Sequence, residues 1–122
     1  MMLRGLRGAT TANENTEEAI LGATRELLTT MIETNGVREN EVASILFSST
    51  SDLTAAFPAR AARDLGWEKV AFMGTQELDV PHGLDRCIRV LIHWNTVKGI
   101  TGLQHIYLHG AKVLRPDWTD GK

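Results

Sequence analysis

One stretch of this chain carries a sustained helical period, and almost everything else is cut into short β-prone runs. In "TTANENTEEAILGATRELLTTMIETNG", residues 10–36, the side chains of Ile20, Leu21, Ala23, Leu27, Leu28, Met31 and Ile32 recur at helical spacing and form one apolar stripe. The spacing predicts a helix over 15–34. Asn15 is the expected N-cap, with Glu18 three residues on completing a capping-box-like pair, and Glu17 and Glu18 suit the positive helix start. Gly36, after Asn35, is the expected stop. A lone long amphipathic helix must bury its stripe on something else, and the rest of the chain offers strands.

Residues 2–9 read as a strand. Met2, Arg4, Leu6 and Gly8 then share one face, while Leu3, Gly5, Arg7 and Ala9 share the other. Arg7 thus stands between two very small residues, in a hollow. "VASILFSST", 42–50, is apolar on both faces and reads as a central strand. Pro58 suits the first turn of a short helix that ends at Gly66 and sets Arg60 and Arg63 on neighbouring parts of one face. "EKVAFMG", 68–74, is a short strand, and "TQELDVPHG" a loop. "DRCIRVLIHWNT", 85–96, is a strong strand with Ile88, Val90, Ile92 and Trp94 on one face and Cys87, Arg89, Leu91 and His93 on the other. A further strand is expected over 104–109, with a last extended piece at 111–115 before Pro116.

The order strand–helix–strand–helix–strand–strand–strand predicts an α+β fold. It would be a mixed five-stranded sheet with the long and the short helix on one face, in a single domain spanning 1–122. The other face would carry Arg7 and Arg89. Burying it against copies of the same chain would make an oligomer with pockets at the seams.

Composition narrows the function. A net charge of −2 gives no bulk attraction to nucleic acid or to an anionic membrane, so any anion site must be local. No run approaches the ~18 apolar residues of a membrane span. One cysteine, Cys87, and no signal-peptide pattern point to a cytoplasmic setting. His82, His93, His105 and His109 lack metal-ligand spacing, so neither metal nor cofactor is expected; His105 and His109 would share a strand face. Cys87 has no evident base and orienter beside it.

Arg7, Arg89 and Tyr107 sit mid-strand in apolar surroundings, Arg63 lies on the short helix, and Glu77 follows the third strand. Singly, each arginine could form an ion pair at a strand edge. As a set they suit a small ligand with two carboxylates and a hydroxyl, because arginine grips carboxylates in a fork. A non-catalytic binder of such a metabolite and a small trimeric imine deaminase are the competing readings.

Taken in order, "MLRGLRGATT", "TEEAI", "DLTAAFPARAAR", "GW", "QELDV", "CIRVLI" and "HIYLHGAKVLRPD" resemble the small monofunctional chorismate mutases of the Bacillus type along nearly the whole chain. The resemblance implies an isomerase converting chorismate to prephenate, by a Claisen rearrangement on the route to phenylalanine and tyrosine. It implies a homotrimer with a barrel-like core of sheets, active sites at the subunit interfaces, and no metal or cofactor. The family's site arginines fall on Arg7, which would meet a substrate carboxylate, and on Arg89, which would face the substrate ether oxygen. Its tyrosine falls on Tyr107, and its carboxylate near the substrate hydroxyl on Glu77. Met73, Gly74, Thr75 and Gln76 would line the pocket. Phe57, Ala59, Arg60 and Arg63 would border it from an adjacent subunit, with Leu114 and Arg115 near its mouth. Two positions depart from the pattern: Gly74 stands where the family often has a polar side chain, and Arg60 where a lysine can occur.

Overall fold

The structure is a computed structural model and describes residues 1–118. Its strands are β1 (Met2–Thr11), β2 (Val42–Ser49), β3 (Ala71–Gln76), β4 (Cys87–Thr96) and β5 (Ile106–Tyr107), and its helices are α1 (Glu17–Asn35) and α2 (Arg60–Asp64). The described residues form one mixed sheet in the order β3-β2-β4-β1-β5. β4 lies at its centre, antiparallel to both β1 and β2, while β5 runs parallel to β1 and β3 parallel to β2. The central place suits β4, whose Ile88, Val90, Ile92 and Trp94 are all buried on its helix-covered face. Its full length pairs with β1, from Met2 opposite Thr96 to Thr11 opposite Cys87.

Both helices cover the same face. Leu6, Ile45, Phe47, Val90, Ile92 and Trp94 of the sheet pack in one core with Leu27, Leu28 and Met31 of α1 and Ala61 and Ala62 of α2. Full burial of a large apolar side chain stabilises by roughly 1.5–3 kcal/mol, so this layer supplies most of the driving force. Gly8 lets α1 come this close. A Cβ there would overlap Met31 Sδ and come within 3.0 Å of Leu27 Cδ1.

The cap of α1 is Thr16 rather than Asn15: Thr16 Oγ1 accepts the Ala19 N–H at 3.1 Å. Asn15 is engaged elsewhere. Its Oδ1 accepts the N–H groups of Thr54 and Ala55, and its Nδ2 donates to Thr54 Oγ1, so it ties the 50–57 loop to the start of α1. At the other end Gly36 takes a left-handed φ of 73° and donates to Ile32 O, as its position predicts.

Several boundaries differ from the sequence reading: β1 runs on to Thr11, β3 takes in Thr75 and Gln76, which the sequence places in a loop, and β4 starts at Cys87. The third strand enters the ladder at Ala71, not 68, because Glu39 Oε2 takes the N–H groups of Lys69 and Val70 and holds them outside it. The short helix is five residues, with Ala59 as its N-cap and Gly66, at φ 91°, beyond its end. The strand expected over 104–109 shrinks to two residues, because Asn35 holds the backbone of Gln104 through both its N–H and its C=O. The extended piece expected at 111–115 is instead a 3₁₀ helix, His109–Leu114. A positive φ of 51° at His109 turns the chain, Gly110 donates to Thr11 Oγ1, and Ala111 is buried. The segment therefore folds over the end of β1 instead of continuing the sheet. His105 and His109 accordingly do not share a strand face; His109 Nε2 lies 2.9 Å from Glu26 Oε1 of α1.

Candidate active site

The uncovered face of the sheet carries the charged residues. Strand register lines up Tyr107, Ala9, Arg89, Ser48 and Thr75 in one row across all five strands. The next row, about 7 Å along the strands, holds Arg7, Leu91, Leu46 and Met73. Arg89 is flanked by the small Ala9 and Ser48, and Arg7 by Gly5 and Ala9 along its own strand. Gly5 and Ser48 leave low ground beside the two arginines, whereas the hollow at Ala9 is already filled by Tyr107, Ala111 and Leu114.

Glu77 extends the third strand by one more rung, its N–H donating to Ser49 O at 2.9 Å, so its side chain falls on the same face as Thr75. Its Oε2 lies 3.3 Å from Arg89 Nε, with both side chains partly exposed. The contact is an ion pair without hydrogen-bond geometry, and the buried Nε donates no hydrogen bond among the described residues. Cys87 is next along β4 on this face and is buried. Burial pushes its thiol pKa up, with Arg89 pulling the other way. The Tyr107 hydroxyl is also pushed up by burial, against the pull of Arg7, Arg115 and Arg89.

Arg115 follows the 3₁₀ helix and is held by Asp117 in a two-pronged ion pair, Nε to Oδ1 at 3.1 Å and Nη2 to Oδ2 at 2.9 Å. The pair lowers the Asp117 pKa and raises that of Arg115. Leu114 packs against Ala9, Tyr107 and Ala111 at the same corner.

The structure divides the sequence-predicted residues into two groups. Arg7, Arg89, Glu77, Tyr107, Leu114 and Arg115 collect on or beside the uncovered face. Met73 joins them, pointing outward and 65% exposed. Phe57, Arg60, Gly74, Thr75 and Gln76 line a separate cleft of about 640 Å³. A second cavity of about 400 Å³ is lined by Glu77, Cys87, Arg89 and the loop from 78 to 85. The two share Thr50 and Ser51. Phe57 is 82% exposed, and Arg60 Nη1 pairs with Glu17 Oε2 at 2.8 Å. Arg63 is exposed on α2, and Ala59 is half-buried at its start. Within one chain the short-helix residues are therefore not gathered around Arg89.

Three side chains stand in this site that residue-by-residue reading did not select as site residues. Ser48 is the small neighbour that makes room for Arg89; its signal is the run of small residues ending β2. Asp117 carries no local signal. His105 accepts the Arg7 backbone N–H through Nδ1 at 3.0 Å, across 98 residues of sequence, and no spacing could announce it. Among the described residues no three His, Cys, Asp or Glu side chains converge in a group able to hold a metal ion.

This geometry, a cationic face with Glu77 set beside Arg89 and Asp117 beside Arg115, can hold a small dianion. The family model for chorismate mutase type I matches residues 3–118. The chain belongs to the type I chorismate mutase family. It is 50% identical to a curated chorismate mutase AroH of Thermus thermophilus over 117 residues, covering 95% of this chain and 96% of the relative. To the Bacillus subtilis chorismate mutase AroH it is 47% identical over 118 residues, 96% and 93% of the two chains. A solved chorismate mutase from Clostridium thermocellum superposes with a TM-score of 0.88 at 49% identity, covering 90% of this chain and 98% of that one. As a chorismate mutase the chain is an isomerase, and the mixed sheet with its helices on one face is the fold it shares with that neighbour. No described helix is long and apolar enough to cross a membrane.

Proposed function

We propose that the protein rearranges chorismate to prephenate at sites built between copies of the chain, each site taking its sheet residues from one copy and its short-helix residues from the next. The reaction is unimolecular and transfers no proton. A site can speed it by holding the extended substrate in its compact reactive conformer and by stabilising the negative charge that grows on the ether oxygen as its bond breaks.

Arg89 is assigned to that oxygen. The observation that carries this reading is its buried Nε: a fixed cation on the open face whose donor makes no hydrogen bond among the described residues. A preorganised donor of this kind contributes roughly 3–4 kcal/mol to the transition state. Glu77, 3.3 Å away, keeps Arg89 aligned and accepts the substrate hydroxyl. Arg7 takes one substrate carboxylate, with Tyr107 beside it. Residues 73–76 form the wall, and Leu114 and Arg115 stand at the mouth. Phe57, Ala59, Arg60 and Arg63 come from the neighbouring copy. Gly74 contributes its backbone N–H alone, since it has no side chain and open space beside it.

The assembly is a trimer in this reading. Leu3, Leu46 and Met73 support it: they are 54%, 36% and 65% exposed on the face that α1 and α2 leave uncovered. Residues 1–122 act as one unit in the cytoplasm, in keeping with a single thiol that stays reduced.

The decisive assay follows loss of chorismate and appearance of prephenate with the purified protein. Turnover that survives dialysis against a strong chelator is the expected result. Failure to convert chorismate, or a rate restored only by an added metal, overturns the proposal.

A further inference from the structure

We propose that His105 is the positioning residue for Arg7: its ring Nδ1 takes the place of a strand carbonyl, accepts the Arg7 backbone N–H and fixes where the Arg7 side chain enters the site. The inference rests on the reading of Arg7 as the partner of a substrate carboxylate.

The need for such an acceptor arises at the edge of the sheet. On its β5 side, among the described residues, the ladder pairs β1 at Gly8 and Ala9 alone, opposite Ile106 and Tyr107, and Leu108 N donates to Ala9 O at 2.9 Å. Arg7 lies one residue beyond that short ladder. A backbone N–H without an acceptor there would leave its desolvation uncompensated, and the edge would fray. The acceptor supplied is an imidazole nitrogen at 3.0 Å.

The backbone that carries the ring is itself held in place. Asn35, buried at the end of α1, donates through Nδ2 to Gln104 O and to Met31 O and accepts the Gln104 N–H at Oδ1, each at 2.9 Å. Its carboxamide pairs with Gln104 as a neighbouring strand would. The line from α1 through Asn35, Gln104 and His105 to Arg7 is a continuous strut of hydrogen bonds and backbone.

An imidazole nitrogen accepts only when it carries no proton, so the ring must be neutral with its proton on Nε2. The surroundings favour that state. Burial disfavours the imidazolium, as do the two cations that act on the ring, Arg7 from β1 and Arg115 from the C-terminal segment. Asn35 of α1, which holds the adjacent Gln104, is uncharged.

If Arg7 holds a carboxylate that is charged in both the ground and the transition state, loosening its backbone weakens binding and leaves the chemical step alone. The whole protein, labelled with ¹⁵N, gives a direct test. A ¹⁵N–¹⁵N coupling across the hydrogen bond between the Arg7 amide and His105 Nδ1, with His105 as the Nε2–H tautomer, is expected. Its absence, or a proton on Nδ1, overturns the proposal. In kinetics, His105→Leu should raise the KM for chorismate about tenfold with kcat within about twofold. His105→Asn, whose Oδ1 accepts near the Nδ1 position, should restore the wild-type KM. An Asn variant as impaired as the Leu variant, or a Leu variant with unchanged KM beside an impaired Arg7→Ala, contradicts the role. An unchanged KM in Arg7→Ala as well overturns the reading of Arg7 instead, and the coupling still decides whether His105 holds the strand.

Discussion

Arg89 and Arg7 stand on the same sheet face in adjacent rows, and the proposed function gives them different tasks. Charge builds on the ether oxygen only as the bond breaks, so a neutral isostere at Arg89, such as citrulline, should lower kcat by about 10²–10³ with a smaller effect on KM. Arg7→Ala should chiefly raise KM. Steady-state kinetics on both variants check the contrast; an Arg89 variant that loses affinity but keeps turnover is a binding variant, and the electrostatic assignment fails. Cys87 gives a simpler test. Its thiol is buried and its pKa raised, so iodoacetamide should label the native protein far more slowly than the unfolded one. His105 bears on acid stability. Its folded pKa lies below the ordinary histidine value of 6.5, so as pH falls below 6.5 the unfolded chain takes up the extra proton first. This contribution is therefore complete above pH 6.5 and is lost as pH falls from there through the folded pKa. Urea midpoints of His105→Asn should be less sensitive to pH across that window than those of the wild type.

At the scale of elements, the contact of α1 with β1 sets how close the helical layer lies to the sheet. Gly8→Ala forces a Cβ against the fully buried Met31, and overpacking of this sort should cost roughly 1–3 kcal/mol, read as a lower urea midpoint at fixed protein concentration. The elements differ in how far the sequence announced them. β1, β4 and α1 were legible because alternation and helical period extend over many residues. The same alternation assigned Arg7 and Arg89 to the uncovered face. The short elements were not, because their limits are set by distant side chains. Glu39 delays β3, Asn35 shortens the last strand, and Thr11 helps draw the 109–114 segment into a 3₁₀ helix. The same cause separates what the residues said about the site from what the resemblance added. Arg7, Arg89, Tyr107, Glu77 and Arg63 could be singled out in the sequence, whereas Phe57, Ala59 and Arg60 came from the resemblance alone.

For the whole molecule, the proposed function rests on a pairing between two surfaces of the same chain. The open face displays Leu3, Leu46 and Met73 together with Arg7, Arg89 and Glu77, while Phe57 and Arg63 stand exposed beyond it. A dianionic substrate held by Arg89 alone would remain open to water on one side, and docking a second copy there would both bury the apolar residues and add cations. Shared sites imply that two damaged chains can repair each other. The direct measurement mixes an inactive Arg89→Ala chain with an inactive Arg63→Ala chain, under conditions where native mass spectrometry shows mixed assemblies, and follows chorismate loss. Sites shared between copies predict that activity returns, because some mixed sites regain both arginines. Mixed assemblies that remain inactive would mean that each site is built within one chain, and the proposal of shared sites would be wrong.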